Sequence, residues 1–239
     1  MRSRHRKKLL AKRTRTILFR MVFVVFVLIV GYNELQTTPP PASESSQPVI
    51  VSSPAGQVLG SLLVKGRAPK TGYSRAVFSS GWEGNSTCDV RNQVLGRDLT
   101  NTTTLPDTCK ITSGILNDPY TGSTIAFERG PNSSAKIQID HVVSLSDAWQ
   151  KGAQSLTPAM RRALANDLLN LLAVDGTANQ QKSDGDAATW LPKNKDYRCS
   201  YVARQIAVKH KYSLWVTPAE QKAMASILET CPEQAIPTK

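Results

Sequence analysis

The densest apolar run of the chain, Met21 to Val30, is Met-Val-Phe-Val-Val-Phe-Val-Leu-Ile-Val, with Gly31-Tyr32 after it. If Arg20 turns its charged end back toward water, the run extends to 16 residues, Ile17 to Tyr32. A membrane-spanning helix takes about 17–25 such residues and a signal-peptide core about 7–15. Residues 33–56 lose all periodicity and fill with Pro, Ser and Thr, the pattern of an extended tether. Apolar positions return at Leu59, Leu62, Leu63 and Val64, where a first helix or strand opens a globular region. Asn117-Asp-Pro-Tyr-Thr-Gly122 predicts a turn before a strand at Thr124–Phe127. Lys136-Ile-Gln-Ile-Asp140 alternates as a half-buried strand does. Thr157-Pro158 predicts the start of a helix running to about Ala165. Leu171–Val174 reads as a short strand, Asp175-Gly176 as a turn, and the next segment as a helix. A helical stripe of Cys199, Val202, Ala203 and Ile206 predicts a helix from Lys195 to about Lys211. Thr217-Pro-Ala-Glu220 is a capping box opening a last helix to about Glu229. Helices and antiparallel-type strands alternate without a regular βαβ order, so the fold class is α+β.

Charge changes this picture mainly at the N-terminus. The 239 residues carry a formal net charge of +12, but residues 1–20 hold nine Lys and Arg and no acid. The remainder has 21 bases against 18 acids, a net of only +3, so overall basicity is no nucleic-acid signature for the folded part. A basic head before an apolar run places the head in the cytoplasm and the rest across the membrane. The run's length favours a cleaved signal peptide. The long basic head and the lack of an A-x-A-like site favour a retained anchor, which we place first. The expected organisation is a basic head (1–16), a signal-anchor or signal-peptide segment (17–32), the linker (33–56), a folded domain (57–232, core about 136–192) and a tail (233–239). All four cysteines lie past the membrane segment, and an even number in an exported domain predicts two disulfides. Cys88–Cys109 and Cys199–Cys231 are favoured because each closes a short loop within one region.

Candidate chemistry gathers between residues 140 and 182. Asp140-His141 ends one predicted strand, Asn170 precedes the next, and Asn179-Gln-Gln-Lys182 follows it. A neutral imidazole of ordinary pKa near 6.5 can take a proton from water, so activity through His141 is expected to rise with pH through about 6–7. His210, the other histidine past the membrane segment, sits in a Lys-rich helix end. Asp140 offers an anionic oxygen and Asn179 a neutral one to a hard divalent cation, Mg²⁺ or alternatively Mn²⁺. Neighbouring strand residues face opposite ways, so the strand must end or bulge at this pair. Asp184 and Asp186 read either as secondary ligands or as the polar residues of an ordinary Ser-Asp-Gly-Asp turn. Lys182 reads equally as a phosphate contact or a solvated base. Arg198, Arg204, Gln205 and Lys209, next to Tyr201, form a possible phosphate-tracking face or an ordinary solvated one. Trp149, Trp190 and Trp215 read as core.

The stretch Asn170 to Asp184, with its two asparagines and Lys182-Ser-Asp184, resembles the second half of the HNH domain in RNA-guided nucleases. From about Val58 to Cys231, the segments Val64-Lys-Gly-Arg-Ala-Pro69, Cys88-Asp-Val-Arg91, Asp118-Pro-Tyr-Thr-Gly122, Ile139-Asp-His-Val-Val143 and Asp186-Ala-Ala-Thr-Trp-Leu-Pro192 resemble a family of exported bacterial HNH endonucleases. That family is related to the C-terminal domain of GmrSD-type restriction enzymes. The resemblance implies a ββα-metal core within the larger mixed domain. It implies His141 as general base, Asp140 and Asn179 as metal ligands, and Asn170 as the residue holding the His-bearing hairpin. The expected activity is hydrolysis of nucleic acid, DNA first, outside the cytoplasmic membrane, with no protein partner. The alternative is a surface-anchored module that binds nucleic acid or a partner on the same scaffold without turnover.

Overall fold

The computed structural model describes residues 52–131 and 133–238. The basic head, the apolar segment 17–32 and most of the expected tether lie outside these residues. Among the described residues, no helix is long and apolar enough to cross a membrane.

Helix α1 (Pro54–Ser61) begins three residues inside the stretch expected as tether, because Ser53 caps it and Pro54 presets its first turn. Helix α2 (Val90–Asp98), capped by Asp89, leads into strands β1 (Thr100–Thr104), β2 (Ile111–Asn117) and β3 (Thr124–Glu128). These three form an antiparallel sheet in the order β1-β2-β3. Strand β4 (Ile137–His141) pairs antiparallel with β5 (Leu171–Asp175) as a separate two-stranded sheet. The connection between them carries helices α3 (Leu145–Gln150) and α4 (Pro158–Asn166). Helix α5 (Gly176–Lys182) follows β5 directly. Helices α6 (Arg198–Lys211) and α7 (Pro218–Leu228) complete the chain, the latter with the expected capping box.

The mixed α+β class is thus observed, with seven α-helices and two small sheets among the described residues. Gly176 has a specific reason to be glycine. A Cβ there would lie 2.3 Å from the Ala135 carbonyl oxygen, so no other residue lets α5 start so close to the hairpin. The buried face of α6 (Tyr201, Val202, Ala203, Ile206) packs against Val142, Leu172 and Val174 of the hairpin region. Ile137, Ile139, Leu171 and Ala173 pack on the other side with Leu95, Leu116 and Phe127. The hairpin is therefore clamped between two apolar clusters. Both expected disulfide pairs are formed, Cys88–Cys109 and Cys199–Cys231. Trp149 is buried, and Trp190 packs partly buried against the core.

Candidate active site

Strand β4 keeps regular register with β5 through Asp140↔Leu172 and His141↔Leu171, so no bulge occurs. The strand simply ends at His141. Alternation then sends the two side chains apart. Gln138 and Asp140 face α5, where they meet Asn179 and Lys182. His141 faces α4 and the segment around Trp82. Because both sit at the last positions of the strand, they border one cleft of about 510 Å³, together with Asn179.

His141 is 6 % exposed, and its Nε2 lies 2.8 Å from the Ala165 carbonyl oxygen. A carbonyl only accepts, so the neutral ring carries its proton on Nε2 and leaves the Nδ1 lone pair free. Burial pushes the imidazole down to about 3; the bond to Ala165 opposes this, and the charges of Arg75 and Lys182 reinforce it. The ring is neutral throughout the physiological range. This shifts the expected titration: in the free protein the imidazole has no charge left to lose at pH 6–7. Trp82 lies nearly parallel over it, with ring centroids 5.8 Å apart.

Asp140 is equally enclosed. Its Oδ2 accepts from the Tyr120 hydroxyl at 2.5 Å and its Oδ1 from Lys182 Nζ at 3.0 Å. Burial raises its pKa, and Lys182 and Tyr120 work against that rise. Lys182 also donates to the His141 carbonyl oxygen at 2.9 Å. Neither expectation for Lys182 describes it: its ammonium is buried and ties α5 to the end of β4. Asn179 donates from Nδ2 to Gln138 Oε1 at 2.8 Å, which turns its carbonyl oxygen away from that bond.

Asn170 is fully buried. Its Oδ1 accepts from the Val143 amide at 2.8 Å, and its Nδ2 donates to the carbonyls of Val143 and Leu164 at 3.2 and 3.3 Å. It fastens the chain two residues beyond His141 to the start of β5.

The expected phosphate-tracking residues do not gather on an open face. Gln205 and Lys209 share one side of α6 with Tyr201, but that side turns inward. Lys209 is buried between Asp147 (3.2 Å) and Glu220 (2.9 Å). Arg204 donates to the carbonyls of Leu169 (2.7 Å) and Leu168 (3.0 Å), and Arg198 to that of Pro192 (2.8 Å). The cause is the central position of α6, whose polar residues answer buried acceptors. Lys151, also fully buried, bonds Asp147, Asp186 and Glu220 at 2.7, 2.7 and 2.6 Å, and Arg67 joins Asp147 and Asp186. Burial alone would raise Asp186; Lys151 and Arg67 instead hold it at about 2. Asp186 is therefore part of a structural ion network. Asp184 does border the cleft, where it accepts from Lys70 (3.1 Å) and Ser146 (3.0 Å).

Two neighbours of the pair escape sequence reasoning. Tyr120 hides inside the turn Asp118–Gly122, and Trp82 lies 59 positions before His141 in a stretch without periodicity. Arg75, also bordering the cleft, carries no sequence signal either.

The fold and site define a mixed α/β domain with a strand–connection–strand–helix unit and a neutral, buried histidine at its strand end. The model of the GmrSD restriction endonucleases, C-terminal domain, matches residues 89–227, and the chain belongs to that family. It is 40 % identical over 194 residues to an uncharacterized secreted protein of the fungus Arthroderma benhamiae, spanning 80 % of this chain and 92 % of the relative. No solved structure matches the chain. The secreted relative and the two disulfides are consistent with an extracellular location.

Proposed function

We propose that this protein is a metal-dependent endonuclease of the HNH (ββα-metal) type, hydrolysing phosphodiester bonds of nucleic acid outside the cytoplasmic membrane. DNA is the first substrate, cut with little sequence selectivity. The observation that carries this reading is His141, neutral and anchored through Nε2, beside Asp140 and Asn179 in one cleft. Its free Nδ1 takes a proton from water, and the Ala165 carbonyl stabilises the positive ring that results. An anionic phosphate entering the cleft opposes the lowering by Arg75 and Lys182, so His141 gains basicity as substrate arrives. Asn170 positions the histidine without meeting substrate.

The donor set fits a loosely held hard cation. Asp140 uses one acceptor site on each oxygen, leaving lone pairs free, and Asn179 supplies a neutral oxygen. Among the described residues, no group of three or more His, Cys, Asp and Glu forms a closed cage. Mg²⁺, or Mn²⁺ in its place, bound by Asp140 and Asn179 would supply Lewis-acid stabilisation of charge on the phosphate and leaving oxygen. Lys182 already neutralises Asp140, so the site gains its affinity for a cation mainly together with the phosphate.

That same engagement of both Asp140 oxygens favours the alternative, a nucleic-acid or partner-binding module without turnover. Plasmid nicking in Mg²⁺, Mn²⁺ and EDTA separates the two. Nicking that needs the metal supports the nuclease; DNA retention without nicking in either metal supports the module. Export rests on the segment 17–32, as an anchor or a cleaved signal.

A further inference from the structure

The segment covering His141 also opens a path away from it. A central cavity of about 150 Å³ shares Arg75, His141 and Leu145 with the Asp140–Asn179 cleft. On its other side it shares Ser79, Gly81 and Trp82 with a cavity of about 610 Å³ bordered by Arg161 and Arg162. The three lie in series through these shared residues, and Trp82 borders both the central and the outer one. Charge along the groove is lopsided. Lys70, Arg75, Arg161 and Arg162 face Glu83, Asp184 and an Asp140 already neutralised by Lys182. Asp184 is taken by Lys70 at 3.1 Å, while Glu83 reaches Arg162 only at 3.8 Å. Arg75 has no carboxylate within 4.0 Å among the described residues, whereas Arg161 donates to the Val77 and Leu156 carbonyls.

We propose that this groove is the path of a single nucleic-acid strand, which passes Trp82 on its way to His141, with Arg75 and Arg162 holding phosphates on either side of that ring. The inference rests on the nuclease reading for which centre the strand reaches. Cations spaced along a groove suit a repeating anion better than a lone phosphate group. Trp82 borders two of the cavities, and its indole offers a stacking surface that accepts any base. The indole is parallel to the imidazole at 5.8 Å, so a base resting against Trp82 sets the strand one ring's thickness from the base of the reaction.

Binding of a fluorescein-labelled single-stranded oligodeoxynucleotide of roughly 16 nucleotides, followed by anisotropy in EDTA, tests this without turnover. The full chain is compared with Arg75→Ala/Arg162→Ala, Glu83→Gln and, as a control, Lys222→Ala on the exposed side of α7. The double variant is expected to bind on the order of 10-fold more weakly, and its slope of log K against log salt to fall by about 1.4, two single-strand phosphate contacts. Glu83→Gln should bind more tightly, and Lys222→Ala should not change. Wild-type affinity and slope in the double variant overturn the path. Binding through these arginines with no nicking in metal removes the nuclease reading and leaves the path standing. Normal nicking and strand binding by the double variant does the reverse.

Discussion

Replacing Asn170 tests whether the hairpin end is held as described. Asn170→Ala deletes three hydrogen bonds and leaves the Val143 amide and two carbonyls unpaired in a fully buried place. An unsatisfied buried donor costs about 1–3 kcal/mol, and each net bond contributes about 1 kcal/mol. A total near 3 kcal/mol lies within the roughly 5–15 kcal/mol stability of a domain, so the variant still folds. For a domain of this size, Tm falls by about 2–4 °C per kcal/mol, or about 6–12 °C here. Asn170→Asp is the sharper perturbation. Its carboxylate would still accept from Val143 but would face two carbonyl oxygens without a proton to give, which raises its pKa. A raised carboxyl binds its proton more readily folded than unfolded, so this variant should regain stability as pH falls from 7 toward about 4. Circular dichroism melts at several pH values read both effects. Nicking assayed well below Tm should drop in both variants, and Asn170→Ala should keep the wild-type pH profile, because Asn170 positions His141 and exchanges no proton. A wild-type Tm in Asn170→Ala, or no pH dependence of the difference between Asn170→Asp and wild type, refutes this account of the clamp.

In EDTA, stability should fall as pH drops below about 6.5, by about 2 kcal/mol at pH 5, because unfolded His141 takes a proton that the folded ring refuses down to about 3. The sign follows from a depressed folded-state pKa, and a His141→Gln protein that loses as much stability over the same range would contradict it. Protein made by export should show no alkylatable thiol, and reduction should cost about 3 kcal/mol per bridge, for loops spanning 21 and 32 positions; four reactive thiols by mass spectrometry would refute the pairing. In metal titrations of nicking, Asp140→Ala should abolish productive metal use, Asn179→Ala should raise the midpoint less, and Asn179→Asp should lower the midpoint while slowing turnover. An unchanged midpoint in Asp140→Ala would remove that ligand and turn attention to Asp184, which borders the same cleft.

Local order was legible where periodicity or end chemistry is strong. Alternation at Ile137–Asp140, the Thr157-Pro158 start and the Thr217–Glu220 box place β4, α4 and α7. The exposed strand β1, all Thr and Asn, has no apolar face to announce it and forms through pairing with β2. At the site, the chain order of Asp140, His141, Asn170 and Asn179 was readable, but their surroundings were not. Burial of Lys182 and Lys209 depends on acids brought from 42 and 62 or fewer positions away, which no local pattern encodes. The same holds for Trp82 over His141 and Tyr120 on Asp140. Sequence proximity made Arg198, Arg204 and Lys209 look like a surface, whereas Lys70 and Arg75 border the cleft.

The central claim is that His141 is the base of a metal-dependent nuclease, and single-turnover plasmid nicking by wild type and His141→Ala addresses it most directly. With Mg²⁺ present and the assay run well below either melting temperature, wild type should nick and His141→Ala should be slower by a factor on the order of 10²–10⁴, with DNA affinity close to wild type. Equal nicking rates in the two proteins, or no nicking by wild type in either Mg²⁺ or Mn²⁺, would contradict it.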